Sequence, residues 1–307
     1  MTDPQVSVLV PVYNRADDLR RLLQDLDAQT GVSFEVVVVD DGSSPPLAPQ
    51  FAEEQHPYPI VWRTHPENWG AGAARNTAVE AANGALFVFI DSDGSVPEAD
   101  CLRLHHDFHS GEAVCPLPVA HPFVLHGRVE GINQTYWGRT FEYSNWFMSD
   151  GAAWRVLEDV HAPGHNTSVT REAFYSVGLF DAAFRVAEDA EWSIRARASG
   201  LPLVYTPEIR IFHRDRETFR AVWGSYLKMG EYAVHVRRKH PGSPYGFLYP
   251  KSRPQALLLL PLLVTALTLY IGGHWYFRDR RTLWYLPGMF VANVAYGIGA
   301  WRGLGWR

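Results

Sequence analysis

The apolar runs in the first third of this chain end on acidic residues, and that pattern limits what the chain can fold into. Ala85-Leu86-Phe87-Val88-Phe89-Ile90 leads into Asp91-Ser92-Asp93, and Phe34-Glu35-Val36-Val37-Val38-Val39 leads into Asp40-Asp41-Gly42-Ser43-Ser44. A strand buried on both faces of a parallel sheet reads as such a near-continuous apolar run. Open α/β sheets bind ligands in the crevice outside the carboxyl ends of their strands. Two carboxylates one residue apart at such an end are hard oxygen ligands, suited to Mg²⁺ or Mn²⁺ that share coordination with substrate phosphates. Asp, Ser and Gly are also ordinary turn residues, so a solvated strand-to-turn junction would carry the same letters.

The flanking pattern supports an α/β reading. Val6 to Tyr13 reads as a first strand, Asn14 as an N-cap, and Leu19, Leu22, Leu23 and Leu26 fall on one helical face. Ile60-Val61-Trp62-Arg63 is a further strand, and Gly70-Ala71-Gly72-Ala73-Ala74-Arg75-Asn76 opens a helix that packs close to the sheet. A dinucleotide-binding turn is the competing reading of that segment. It fails because Arg75 stands where the third glycine belongs, and Asp91 opens a metal-like triplet where a lone ribose-binding acid is required.

At 307 residues, 47% of them hydrophobic, the chain can bury a large core. Its net charge of -5 is unevenly spread: residues 251–307 hold seven Lys or Arg against Asp279 alone, a balance of +6, which leaves -11 for residues 1–250. Acid in front and base behind suggests two environments. No signal peptide is recognisable before Val6, and with only Cys101 and Cys115, read as packing thiols, the front part is expected to be cytosolic and reduced.

Four segments in order resemble the family 2 glycosyltransferases of the GT-A fold: Pro11-Val12-Tyr13-Asn14, Asp40-Asp41-Gly42-Ser43, Asn68-Trp69-Gly70 through Ala74-Arg75-Asn76, and Asp91-Ser92-Asp93. Asn166 to Glu172, Val177 to Asp181, Glu188-Asp189 and Gly200 through His213 extend the resemblance into the acceptor-side half of such enzymes. It implies a nucleotide-diphospho-sugar transferase domain, a Rossmann-like mixed sheet spanning residues 1–213, with a nucleotide-binding half at 1–93 and an acceptor-side half at 94–213. It implies that Pro11 and Tyr13 wall the base and that Asp41, beside Asp40, accepts from a uracil or thymine imide or from a guanine N1–H. The base itself stays open. Arg75 is the candidate for the pyrophosphate, since its planar fork fits phosphate oxygens. Asp93 is the expected direct metal ligand, Asp91 with Ser92 holds the ribose or a metal-bound water, and His213 completes the metal site, all with Mn²⁺ or Mg²⁺ as cofactor. A lone strand histidine is more often structural, and only the resemblance raises His213 above that.

Glu188-Asp189 opens a helix, where the dipole favours carboxylate anions. Inverting transfer needs a base on the acceptor side, and Asp189 fits that role with Glu188 orienting the site. First-turn acids are common in helices for the dipole reason alone. His105 and His109 have the spacing of a metal pair but lack a third ligand, so they are read as a solvated helix face. His161 and His165 flank Asn166 as acceptor-pocket candidates, with a loop role equally open. Trp137, Trp146, Trp154, Tyr136 and Tyr143 are rings that either stack on sugars or fill the core.

Pro254 to Phe277 and Thr282 to Trp301 carry no Asp, Glu, Lys or Arg, and each is near the roughly 20 residues that cross a bilayer. Residues 254–307 are therefore expected to form two membrane helices or an interfacial hairpin, the membrane contact running over 254–301. Arg237, Arg238, Lys239, Lys251 and Arg253 precede the first segment, Arg278, Arg280 and Arg281 lie between, and Arg302 and Arg307 follow. A spanning hairpin would put the basic turn outside, against the positive-inside tendency. Residues 214–253 are expected to form amphipathic, basic linker helices, with Phe219, Val222, Trp223, Tyr226 and Met229 on one face turned to the membrane or to a core. The expected activity is non-processive: one sugar moves from a nucleoside-diphosphate sugar to a lipid-linked or glycan acceptor at the membrane, with the catalytic domain cytoplasmic. Nucleic acid is not an expected partner. A catalytically silent nucleotide-binding scaffold and a sugar nucleotidyltransferase are the alternatives.

Overall fold

The valine-rich runs form the inner strands of the parallel half-sheet that their composition calls for. In the computed structural model, which describes residues 3–159, 161–243 and 249–305, β1 (Val6–Val12), β2 (Phe34–Asp40), β3 (Ile60–Thr64) and β4 (Leu86–Phe89) are parallel, side by side in the order β3-β2-β1-β4. Between them run α1 (Ala16–Leu26) and α2 (Ala71–Ala81). β5 (Gly94–Ser95) and α3 (Cys101–Ser110) follow. β6 (Val124–Gly131), α4 (Tyr136–Asn145), β7 (Arg155–Val156), β8 (Thr167–Thr170), α5 (Arg171–Val177), α6 (Glu188–Ala198) and β9 (Leu203–His213) come next. β8 runs antiparallel to β4, and the sheet continues β8-β6-β9-β5, with β7 on β9. The helices α7 (Phe219–Lys239), α8 (Arg253–Tyr276) and α9 (Thr282–Gly303) complete the chain.

The two faces of the sheet carry separate cores because alternate strand residues point to opposite sides. Val8, Val10, Val36 and Val38 pack with Leu19, Leu22, Leu23 and Leu26 of α1 on one face. Leu9, Val37, Val39, Phe87 and Phe89 pack with Ala74, Ala78, Phe174 and Trp192 on the other. Each α1 leucine is fully buried, which contributes about 1.5–3 kcal/mol per side chain. Leu22→Ala would cost about 2–5 kcal/mol. Asn14 does not cap α1 as its position suggested. It adopts a left-handed φ of 53°, which Asn tolerates, and Arg15 takes the cap position. Asn14 instead ties two loops together: its N–H donates to Ser43 Oγ and its Oδ1 accepts from Ser44 N–H.

The chain divides into two compact units, Met1–Val129 with Gly151–His213, and Glu130–Asp150 with Arg214–Arg307. Residues 130–150 therefore group with the C-terminal helices. In the second unit α9 packs against α7, α8 and α4. Small residues permit this: a Cβ on Gly230 would strike the Tyr296 backbone, and one on Gly299 the Leu227 backbone. Val222 and Tyr226 of α7 are buried with Phe141, Ala292 and Ala295, so the α7 stripe is a packing face. Tyr143, together with Trp275 and Tyr285, fills a neighbouring cluster in the same unit.

The second apolar segment is packed within its own unit. Met289, Ala292, Asn293, Ala295 and Ala300 of α9 are buried, and Asn293 Nδ2 donates to Thr268 Oγ1 of α8 at 2.9 Å. Among the described helices, α8 alone is long and apolar enough to cross a membrane. Its Leu257, Leu258, Leu262 and Leu269 are exposed. Residues 244–248 of the expected linker and Arg307 lie outside the described residues.

The histidines of α3 also differ from expectation. His105 is fully buried, Nδ1 meeting Ser168 Oγ at 2.8 Å and Nε2 meeting Asn166 Oδ1 at 3.0 Å, while His109 Nε2 reaches the same Ser168 hydroxyl at 2.9 Å. α3 is amphipathic with these rings on its inner face, packed on β8, a strand the local spacing could not reveal. Burial pushes His105 down to about 4, and His109 and, on β6, His126 down to about 3. All three are therefore neutral in the folded chain at neutral pH, whereas in the unfolded chain they take up protons near pH 6.5. Below that pH the unfolded state binds more protons, so stability is complete above about 6.5 and falls as pH drops towards 4. At about 1.4 kcal/mol per unit of separation, each ring should contribute about 1–2 kcal/mol of loss at pH 5. Urea midpoints at pH 7.5 and 5.0 should show this decline, with a smaller slope in His105→Gln. Equal midpoints at the two pH values would remove the histidines from the stability account.

Candidate functional site

Parallel strands align their carboxyl ends, which brings Tyr13, Asp41, His65 and Asp91 to one edge of the sheet. Asp41 is buried, and its carboxylate organises the edge: Oδ1 accepts from Trp69 N–H at 2.9 Å and lies 2.7 Å from His65 Nδ1, while Oδ2 accepts from Gly70 N–H at 2.8 Å. Gly70 has φ 97°, a conformation that a side chain would strain, as it turns into α2. His65 Nε2 reaches Thr77 Oγ1 at 2.9 Å, and its ring lies 4.3 Å from that of Trp69. Tyr13 and Trp69 are both about half exposed, and Pro11 is half-buried. Asp40 departs from its expected place in the crevice. It is fully buried and accepts from Ser43 N–H at 2.9 Å and Leu47 N–H at 2.8 Å, so it shapes the turn that follows β2.

The acidic triplet is joined by a residue from the far end of the fold. β5 pairs antiparallel with β9 so that Gly94 lies opposite His213. That register sets the last residue of β9 beside the residue after Asp93. His213 Nε2 is 3.2 Å from Asp93 Oδ1, and one ligand atom each from Asp91, Asp93 and His213 all lie within 4.8 Å of one another. Two hard carboxylates and an imidazole form a donor set that suits Mn²⁺ or Mg²⁺. His165 supports this corner: its Nδ1 accepts from Asp91 N–H at 3.0 Å, and its ring stands 5.1 Å from that of His213. Ser92 is buried between the two acids.

Arg75 does not offer a free fork to a pyrophosphate. It is 3% exposed; its Nη1 donates to Glu188 Oε1, and its Nη2 donates to Asp91 Oδ1 at 2.7 Å and to Gly164 O at 3.0 Å. It is thus a strut between the acidic triplet and the start of α6. Burial acts to lower the guanidinium pKa, but Asp91, Glu188 and Asp189 outweigh it and hold the group above its ordinary range. Burial pushes Glu188 up, to about 7, against the pull of Arg75. Gly164 has room only for hydrogen, since a Cβ there would sit 2.5 Å from Arg75 Cζ. Its N–H donates to Asp189 Oδ2 at 3.0 Å, and Ala190 N–H donates to Oδ1 at 2.7 Å. Asp189 is half-buried, and the residue that starts its helix, Ala187, is held at φ 65°. Such a conformation at a residue with a Cβ costs about 1–3 kcal/mol and persists where the surroundings over-determine it, often at a functional site.

Several of these residues went unassigned in the sequence. Arg15 Nη1 lies 2.8 Å from Asp93 Oδ2. His65 sits one residue beyond β3, a strand-end position like that of Asp91, and that placement is the signal that could have found it. Asn76 exchanges hydrogen bonds with the Phe180 backbone, Nδ2 to O at 2.8 Å and N to Oδ1 at 2.9 Å, which holds the loop before α6. Asn166, at φ 53°, donates to Arg128 O and Ile209 O and so fastens β6 to β9. His161 is exposed, and the ring of Trp154 packs on Phe108.

The family model for glycosyl transferase family 2 matches residues 7–178. The putative glycosyltransferase EpsH of Bacillus subtilis is 39% identical over 107 residues, which span 34% of this chain and 30% of that protein. Glycosyltransferase AglE of Haloferax volcanii is 29% identical over 243 residues, 76% of this chain and 75% of AglE. Among solved structures, the mannosyltransferase PcManGT of Pyrobaculum calidifontis, in complex with GDP-Man and Mn²⁺, superposes with a TM-score of 0.63 at 19% identity, covering 98% of this chain and 88% of that one. TarS of S. aureus, residues 1–349 in complex with UDP-GlcNAc, gives a TM-score of 0.52 at 17% identity and covers 97% and 91%. These superpositions show the fold.

The strut makes a direct stability prediction. Arg75→Met leaves Glu188 and Asp91 without their cation, and removing one partner of a buried pair typically costs about 3–5 kcal/mol. Adding Glu188→Gln should recover part of that loss. If Arg75→Met melts within a degree of the parent in calorimetry, the strut contributes nothing.

Proposed function

Because this chain belongs to glycosyl transferase family 2, whose model covers more than half of it, we propose that it transfers a single sugar from a nucleoside-diphosphate sugar, with inversion, to a lipid-linked or glycan acceptor at a membrane. The observation that carries the reading is the convergence of Asp91, Asp93 and His213 within 4.8 Å, with Asp189 tied to the same corner through Gly164 and Arg75.

The residues divide the work as follows. Tyr13 and Trp69 offer exposed rings for the base to rest on, with Pro11 behind it. Asp41 is the acceptor for the base N–H, since a carboxylate has about four lone-pair sites and three are in use here. Asp91, Asp93 and His213 would hold a divalent cation, which when bound supplies Lewis-acid neutralisation of the departing diphosphate. Asp189 takes the acceptor hydroxyl proton as that oxygen bonds to the anomeric carbon and the bond to the diphosphate oxygen breaks on the opposite face. Gly164 N–H fixes the orientation of the Asp189 carboxylate, and Arg75 keeps the donor and acceptor acids in register. The chain lacks the Gln-x-x-Arg-Trp signature of processive synthases, which supports release after one transfer.

Membrane association is the reading that best accounts for α8. Leu257, Leu258, Leu262 and Leu269 are between 64% and 78% exposed, and exposed apolar surface of that kind marks a lipid or protein contact. The catalytic unit would face the cytosol, where sugar nucleotides are available.

Asp189→Asn should lower turnover at least a hundredfold, in line with the usual contribution of a general base, while nucleotide binding by calorimetry stays within twofold. Unchanged turnover would overturn the assignment of the base. The assay is a panel of sugar nucleotides with Mn²⁺, read by product analysis: release of nucleoside diphosphate supports transfer, whereas pyrophosphate would mark a nucleotidyltransferase. Separately, replacing Leu257, Leu258, Leu262 and Leu269 together by Ser should release the full chain from sedimenting lipid vesicles. Retained binding would remove the α8 surface from that role.

A further inference from the structure

One cation at the site has no part in the division of labour above. Arg15 precedes the first turn of α1, and its Nη1 lies 2.8 Å from Asp93 Oδ2, while His213 Nε2 lies 3.2 Å from Oδ1 of the same carboxylate. The Asp93 side chain is 8% exposed and that of Arg15 is 32% exposed, so the carboxylate is enclosed and its guanidinium partner reaches solvent. The same Nη1 also donates to Asp18 Oδ2 at 3.2 Å. Asp18 is one turn into α1, so Arg15 keeps a second anion within reach if it leaves Asp93.

These contacts set up a competition. A guanidinium on Oδ2 places a positive charge on the same carboxylate whose Oδ1 faces His213, and two cations on one carboxylate repel each other unless another anion lies between them. A diphosphate is such an anion, and a guanidinium pairs with phosphate oxygens through the planar fork that it presents to carboxylates. Tyr13, expected beside the base, lies two residues from Arg15 on the same β1–α1 turn, and Asn14 anchors that turn to Ser43 and Ser44. Arg15 can therefore exchange partners by side-chain rotation on a fixed backbone.

We propose that Arg15 makes cation uptake depend on the sugar donor: without donor it holds Asp93 and competes with the divalent ion, and with donor it moves to the diphosphate and frees Asp93. This inference rests on the assignment of Asp91, Asp93 and His213 as cation ligands. Arg15 is a positioning residue in this scheme, and it couples two binding events rather than taking part in bond making.

Calorimetric titration of the 307-residue chain with MnCl₂, alone and with saturating uridine or guanosine diphosphate, tests it. Arg15→Gln should bind Mn²⁺ alone about tenfold more tightly than the parent, and the tightening produced by the nucleoside diphosphate should shrink by a similar factor, within the usual range of coupling between sites. Arg15→Lys keeps the charge but not the fork. It should bind Mn²⁺ alone like the parent and lose part of the diphosphate effect, so it provides a second reading if Arg15→Gln does not fold. Equal or weaker Mn²⁺ affinity in Arg15→Gln, with the parent binding normally, overturns the coupling and leaves the cation site standing. If the parent takes up no Mn²⁺ with either nucleotide, the cation site falls and this inference falls with it.

Discussion

A buried arginine holding two acidic clusters is the constraint on which the rest of this site depends. Arg75 joins Asp91 at the end of β4 to Glu188 at the start of α6, and it also fixes the Gly164 carbonyl. Ionised side chains are costly to bury unless they are paired and hydrogen-bonded. The arrangement is therefore all-or-nothing: with every partner present, the loop around Gly164, the acidic triplet and the helix carrying Asp189 share one geometry. The two short glycine approaches follow from it, since Gly72 faces Glu188 and Gly164 faces Arg75, with no room for a Cβ at Gly164.

The loops at the strand ends are organised in the same manner, by carboxylates and amides that accept from backbone N–H groups. Asp40 fixes the turn after β2, Asp41 fixes the approach to α2, and Asn14 stitches the first turn to the second. Acidic residues that look alike in sequence therefore serve different ends. Asp40 is consumed by the fold, Asp41 serves the fold and keeps acceptor capacity, and Asp93 keeps one oxygen towards His213 and one towards Arg15. Preorganisation of this kind suits a reaction in which charge develops on a leaving group, because fixed groups need no rearrangement as the bond breaks.

The two apolar segments near the C-terminus have similar composition and different fates. α9 carries glycine and alanine where α7 approaches, so its backbone comes close and its face is buried. α8 carries exposed leucines, Leu258, Leu262 and Leu269 among them. Hydropathy summed over a window treats the two alike. The size of the residues on each face separates a core helix from a surface one.

The sequence by itself determined the parallel half of the sheet, the α1 packing face, and the acidic strand ends, because strand and helix periodicities are local properties written in successive residues. It also brought out His213 and Asp189, through their resemblance to a known pattern rather than through any local signal. Tertiary structure alone decided the rest. Register between β5 and β9 set His213 beside Asp93, from 120 residues away in the chain. The pairing of Arg75 with Glu188, the burial of His105 and the arrival of Arg15 at Asp93 likewise depend on which elements become neighbours. Such contacts join residues with no fixed spacing, so no period in the chain encodes them; they exist only once the sheet has chosen its strand order.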